Sequence, residues 1–110
     1  YIIDDGKSAI LFTVDTAATD RIWEIAKTIK NLKAIVTEVS FPNSMSKVAI
    51  ASDHHTPASL KLELTKMPKD IPIILTHLKP NFRDELFSEI SELKEPRLRL
   101  LERDGIIFNF

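Results

Sequence analysis

An α/β fold, with a mixed sheet covered by helices, is what this sequence predicts, and two observations lead to it. Short β-prone apolar runs recur at 9–14, 34–37 and 71–76, and the stretches between them carry apolar residues at helical spacing. Strands that alternate with helices build layers in which the sheet is buried. The 110 residues suit a single domain, and 44% hydrophobic residues are enough for its core.

The elements follow in chain order. Ile2-Ile3 precede Asp4-Asp5-Gly6, and Ala9-Ile10-Leu11-Phe12-Thr13-Val14 follow. An Asp-Gly pair between apolar runs signals a hairpin. The second run is nearly all apolar, as in a strand covered on both faces, and it stops at Asp15. From about Thr19 the period becomes helical. Ile22, Ile25, Ala26 and Ile29 form the inner stripe, with Thr19 or Asp20 as cap and Asn31 at the end. Ala34-Ile35-Val36-Thr37 is a β-prone run that delivers Glu38, and Pro42-Asn43-Ser44 is a turn signal. Residues 45–52 suit a short helix, and Asp53-His54-His55 reads as a loop. Thr56 then caps a helix with Pro57 at its first position, Leu60, Leu64 and Met67 on its inner face and Pro68 at its end. The strand at 71–76 stops at His77. Asn81 caps a last helix lined by Leu86, Ile90 and Leu93 and closed by Pro96, and Asp104-Gly105 marks a terminal hairpin.

Composition removes several function classes. The net charge is −1 and no Lys/Arg run could track a phosphate backbone, so nucleic acid is not an expected partner. A small phosphate ester remains possible, because a metal ion can supply the missing positive charge. Without cysteine there are no disulfides, thiolate metal sites or cysteine nucleophiles. No apolar run approaches the roughly 18 residues of a membrane span and no signal peptide is visible, so no membrane partner is expected and the compartment is read as cytoplasmic. The chain opens Tyr1-Ile2-Ile3 without methionine, so an upstream portion is expected to be missing.

Chemistry is expected where the strands end. Val14 is followed by Asp15, Thr37 by Glu38 and Thr76 by His77. In sheets covered by helices, ligands bind outside the carboxyl ends of the strands. If these strands are neighbours, Asp15, Glu38 and His77 share one rim, and His54 can join them from its place before a helix. Two carboxylates and two imidazoles suit a divalent metal with an acid–base pair beside it. Taken singly, a strand-end carboxylate is more often a cap or surface group, and a lone histidine such as His77 more often structural. His55 reads as a polar loop residue. The joint occurrence brings the rim level with these bland alternatives and no further.

The order Phe12-Thr13-Val14-Asp15-Thr16, Thr37-Glu38-Val39-Ser40-Phe41-Pro42-Asn43, Ser52-Asp53-His54-His55-Thr56-Pro57-Ala58-Ser59-Leu60 and Ile74-Leu75-Thr76-His77-Leu78-Lys79-Pro80 resembles class II cyclic-nucleotide phosphodiesterases. These are metallo-β-lactamase-fold enzymes related to tRNA 3′-end processing endonucleases, and the resemblance spans residues 8 to 80. It implies the C-terminal half of a metallo-β-lactamase-type αββα sandwich. It also implies hydrolysis of a small-molecule 3′,5′-cyclic nucleotide such as cyclic AMP, by a hydroxide activated between two divalent ions, zinc by preference. Asp15 resembles the carboxylate that bridges the ions and His77 the last histidine ligand. Glu38 and His54 resemble the pair beside the scissile phosphate. Lys79 is a weaker analogue of a phosphate contact, set against a solvated lysine.

The chain departs from that pattern in places. Val14 stands where the family has glycine before the bridging aspartate. Asp53 and His55 replace the glycine and leucine that flank the motif histidine, and without glycine the loop is expected to shift. A His-x-His-x-Asp-His motif is absent, and the only histidines are His54, His55 and His77. A two-metal site needs about eight or more ligand atoms counting water, with three protein ligands the norm for a catalytic zinc. The chain alone is therefore expected to be inactive and not to hold two metals tightly. The N-terminal half of the same protein, or a homo-oligomer, would supply the rest. The alternatives are a non-catalytic α/β module of the same type that mediates oligomerisation, and a related RNA-processing endonuclease.

Overall fold

The computed structural model describes residues 1–13 and 19–101. Five strands form one mixed sheet, and their spatial order is their chain order: β1 (Ile2–Asp4), β2 (Ala9–Phe12), β3 (Leu32–Glu38), β4 (Ile73–Thr76) and β5 (Leu98–Leu100). β1 and β2 are an antiparallel hairpin with Asp4 opposite Ala9, as Asp5-Gly6 predicts. Its turn closes on carboxylates. Asp4 Oδ1 accepts the Gly6 N–H, and Asp5 Oδ1 accepts those of Lys7 and Ser8. Gly6 takes a φ of +90°, which glycine adopts without a steric penalty.

The other three pairings are parallel. Parallel neighbours need crossover connections, and helices fill them. α1 (Arg21–Thr28) links β2 to β3, α2 (Ser46–Ala51) and α3 (Pro57–Leu64) link β3 to β4, and α4 (Arg83–Glu92) links β4 to β5. Side chains alternate across a strand, so register decides what meets in the core. Leu11, Ile35, Ile73 and Leu98 lie side by side across the sheet. Together with Leu75 they pack into one cluster with Trp23, Leu60, Leu86 and Ile90. Each fully buried side chain of this kind contributes roughly 1.5–3 kcal/mol. Ile10, Phe12 and Val36 project to the other face and are only half-buried, so β2 is less completely covered than its composition predicts.

Two helix ends and one helix face differ from expectation. On α1 the buried residues are Trp23 and Ala26, whereas Ile25 is 41% exposed. The indole decides this: it has the most surface to bury, and its Nε1–H donates to Glu63 Oε1 at 3.1 Å, which fixes the rotation of the helix. Asp20 stands at the cap position but makes no capping bond, because its carboxylate lies 2.8 Å from Lys66 Nζ instead. α4 starts at Arg83 without an Asn81 cap, since Pro80–Phe82 forms a 3₁₀ turn first. α3 begins as expected. Thr56 Oγ1 accepts the Ser59 N–H, and Ser59 Oγ accepts the Thr56 N–H. Leu98 and Leu100 lie on a strand parallel to β4, and the hairpin expected at Asp104-Gly105 lies outside the described residues. Among the described residues no helix is long and apolar enough to cross a membrane.

Candidate metal and acid–base site

The register of the sheet builds the site. Glu38, the last residue of β3, pairs with Thr76, the last residue of β4, so both strands end level and His77 emerges beside Glu38. β2 runs toward the same edge, where the Thr13 hydroxyl donates to Thr37 Oγ1 at 2.7 Å. Asp15, the expected bridging carboxylate, lies outside the described residues, as does Val14. Just beyond β3, Ser40 is buried on the same side as Glu38, within hydrogen-bond reach of its carboxylate.

The 53–55 loop is stitched to this edge. Ser40 N–H donates to the His55 carbonyl at 3.0 Å, and His55 N–H donates to Glu38 Oε1 at 2.8 Å. His54 N–H caps the end of α2 by donating to the Ala49 carbonyl. These bonds bring the His54 ring over the Glu38 carboxylate, with Nδ1 at 3.3 Å from Oε2. The Ser40 hydroxyl donates to the same Oε2 at 2.6 Å, and its oxygen lies 3.4 Å from His54 Nδ1 and 3.2 Å from His77 Nδ1. The two imidazoles meet edge to face with centroids 5.2 Å apart. One ligand atom from each of Glu38, His54 and His77 lies within 4.8 Å of the other two. Burial is graded across the cluster: Glu38 is 3% exposed, His54 half-buried and His77 exposed.

Two backbone conformations hold this geometry. Asp53 has φ +56° and His77 φ +64°. The left-handed region costs a side-chain-bearing residue about 1–2 kcal/mol, and aspartate is among those that tolerate it. Asp53 thus adopts a conformation that glycine favours and that aspartate tolerates. Phe41 supports the outer side of the cluster. Its ring is 5.9 Å from that of His54, and Lys79 Nζ lies 5.7 Å from its centroid. A cavity of about 300 Å³ opens beside His54, lined also by Ser46, Ile50, Asp53 and Thr56. That volume is at the lower end of the range for small-molecule sites.

His55 is not the polar loop residue that its position suggests. It is 2% exposed, and its Nδ1 sits 2.9 Å from Ser59 Oγ at the start of α3. Burial pushes its imidazole below the usual 6.5, by more than the charges of Glu38 and Glu63 raise it. Sequence reasoning missed Ser40, although its place two residues after Glu38 put both on one side. It also missed Glu63, a charge on the inner stripe of α3 between Leu60 and Leu64.

Comparison with protein-family models, with curated proteins and with solved structures gives no match in any of the three searches.

Proposed function

We propose that this chain is the C-terminal half of a metallo-β-lactamase-type αββα sandwich and supplies part of the site of a metal-dependent phosphodiesterase for a 3′,5′-cyclic nucleotide such as cyclic AMP. One observation carries the reading. Glu38, His54 and His77 come from three separate segments, yet they converge at the carboxyl edge of a parallel sheet. The sequence likeness adds the reaction class, and the cavity beside His54 has room for a base-sized group.

The donor chemistry fits zinc, which takes imidazole nitrogen and carboxylate oxygen. The number of donors does not suffice for two ions: there are three histidines, and His55 is engaged with Ser59. Asp15 and His77 would hold the ions, and the remaining ligands would come from the N-terminal half of the same protein or from a second copy of the chain. Divalent ions, when bound, neutralise charge on the phosphoryl oxygens and lower the pKa of water toward neutrality. The chain's own residues then act on the leaving group. Glu38 holds the His54 ring in place, and His54 moves a proton to the departing ribose oxygen.

The test uses the polypeptide extended upstream of Tyr1 as its gene encodes it. The reading expects about two metals per chain and hydrolysis of bis(p-nitrophenyl) phosphate, with metal and activity both lost in His77→Ala. A folded, metal-free polypeptide would refute it. A second reading, a non-catalytic association module, draws on the edge strand β1, where Ile2 and Ile3 are 47% and 63% exposed, next to Tyr1 at 83%. It predicts concentration-dependent sedimentation that Ile3→Lys abolishes, with no bound metal.

A further inference from the structure

We infer that the chain by itself holds one divalent ion of the zinc type between Glu38, His54 and His77, in an arrangement distinct from the two-ion centre proposed above. Two observations point there independently. The first is the charge on Glu38. Its side chain is 3% exposed, and its partners are the Ser40 hydroxyl, the His55 N–H and the His54 ring. No lysine or arginine among the described residues answers it, whereas the buried Glu63 has Lys66 Nζ at 2.7 Å. Buried charges are either paired with an opposite charge or coordinate a metal, and the two glutamates divide along that line.

The second observation is the spacing of the donors. A tetrahedral zinc with ligands at about 2.0–2.2 Å sets those ligands about 3.3–3.6 Å apart. His54 Nδ1 and Glu38 Oε2 are 3.3 Å apart, and one ligand atom from each of Glu38, His54 and His77 lies within 4.8 Å of the other two. His77 is exposed at the end of β4, so turning its ring closes the last gap, about 1 Å. The carboxylate is already held in place, with Oε1 on the His55 N–H at 2.8 Å and Oε2 on the Ser40 hydroxyl at 2.6 Å. Such outer bonds are what orient the ligands of a metal site. Two imidazoles and one carboxylate, with a fourth position left to water, are a donor set that zinc uses. Imidazoles that make hydrogen bonds still take ions, because the ion exchanges with the proton they share. The site therefore requires rings that lie near one another, not rings without partners.

On the phosphodiesterase reading, the one-ion and two-ion arrangements share His77 and exclude each other. The one-ion form is then inactive, because a ring bound to an ion cannot be the imidazolium that gives up a proton. The one-ion site itself does not rest on that reading.

The experiment titrates the chelator-treated 110-residue chain with zinc by calorimetry and records ring proton–nitrogen spectra of the ¹⁵N-labelled chain alongside. His→Gln variants at 54, 55 and 77 assign the ring signals. One ion per chain is expected, with the His54 and His77 signals moved to a bound form. Ser40→Ala is expected to weaken binding by about 10–100-fold, and His54→Gln and His77→Gln by more. A chain that takes up no zinc overturns the inference, and so does an ion that leaves either the His54 or the His77 ring unmoved, whether or not Ser40→Ala folds. Half an ion per chain, with a dimer in sedimentation, also overturns it, since the ion then lies between copies. The upstream half takes no part here, so failure leaves the hydrolase reading standing, and absence of hydrolysis in the extended polypeptide leaves the one-ion site standing.

Discussion

Glu38 and Glu63 are both buried glutamates, and their surroundings differ in kind. Glu63 sits inside α3, where its Oε1 accepts the Thr19 N–H at 2.7 Å and the Trp23 Nε1–H at 3.1 Å. Lys66 Nζ lies 2.7 Å from its Oε2 and 2.8 Å from Asp20. Every partner of Glu63 is a committed donor, and the result ties α1 to α3. Glu38 sits at a strand end and faces a hydroxyl, a backbone N–H and an imidazole, with a second imidazole reaching solvent beyond. Imidazole can donate, accept or ligate, as a lysine ammonium cannot. Burial alone therefore does not mark a site. What marks it is a buried carboxylate whose partners can change their protonation or bind an ion.

Substitutions can break this contrast. The largest effect belongs to the rim: in the upstream-extended polypeptide, His54→Gln is expected to lower cyclic-nucleotide hydrolysis by about 10²–10⁴-fold, the usual worth of a general acid. Its urea-unfolding stability should stay within about 1 kcal/mol of the parent, since glutamine keeps a polar side chain at this half-buried position outside the hydrophobic core. Glu63→Ala should do the reverse. It leaves the Trp23 N–H and Thr19 N–H unpaired, each worth about 1–3 kcal/mol, so stability should fall by about 3 kcal/mol or more in urea titration. Metal binding should not move.

Acid should separate the two carboxylates further. Burial alone would raise the Glu63 carboxyl; the Lys66 ammonium and the Thr19 and Trp23 N–H groups outweigh it and hold it below the ordinary 4.5. The unfolded chain then takes up the proton first. The contribution of Glu63 is complete above pH 4.5 and is lost as pH falls through its lower folded value. Unfolding midpoints measured from pH 6 down to pH 3 should show this slope in the parent and a shallower one in Glu63→Gln. The smallest effect is expected of Asp53→Gly. Relief of the left-handed strain, about 1 kcal/mol, nearly offsets the added chain entropy of glycine, about 0.5–1 kcal/mol. Thermal unfolding should place this variant within about 0.5 kcal/mol of the parent, whereas Asp53→Ala loses about 1 kcal/mol.

Much of the frame was legible because its signals are local. Asp5-Gly6, Thr56-Pro57 and the apolar runs that became β2, β3 and β4 encode their own turns, caps and strands. The convergence of Glu38 with His77 was legible too, because parallel strands that end level bring their next residues together. The rotation of α1 was not, since it depends on an indole 40 residues from its Glu63 acceptor in sequence. The α4 start was hidden by Pro80, which favours a 3₁₀ turn before any Asn81 cap can form. Ser40 escaped notice because a serine carries meaning only once the two imidazoles around it are placed.

The most direct measurement follows phosphorus. With zinc or manganese added, the upstream-extended polypeptide is incubated with cyclic AMP and monitored by ³¹P NMR. The account predicts replacement of the cyclic diester signal by a phosphomonoester in the parent and no replacement in His54→Gln. A folded, metal-loaded parent that leaves the diester intact would contradict it.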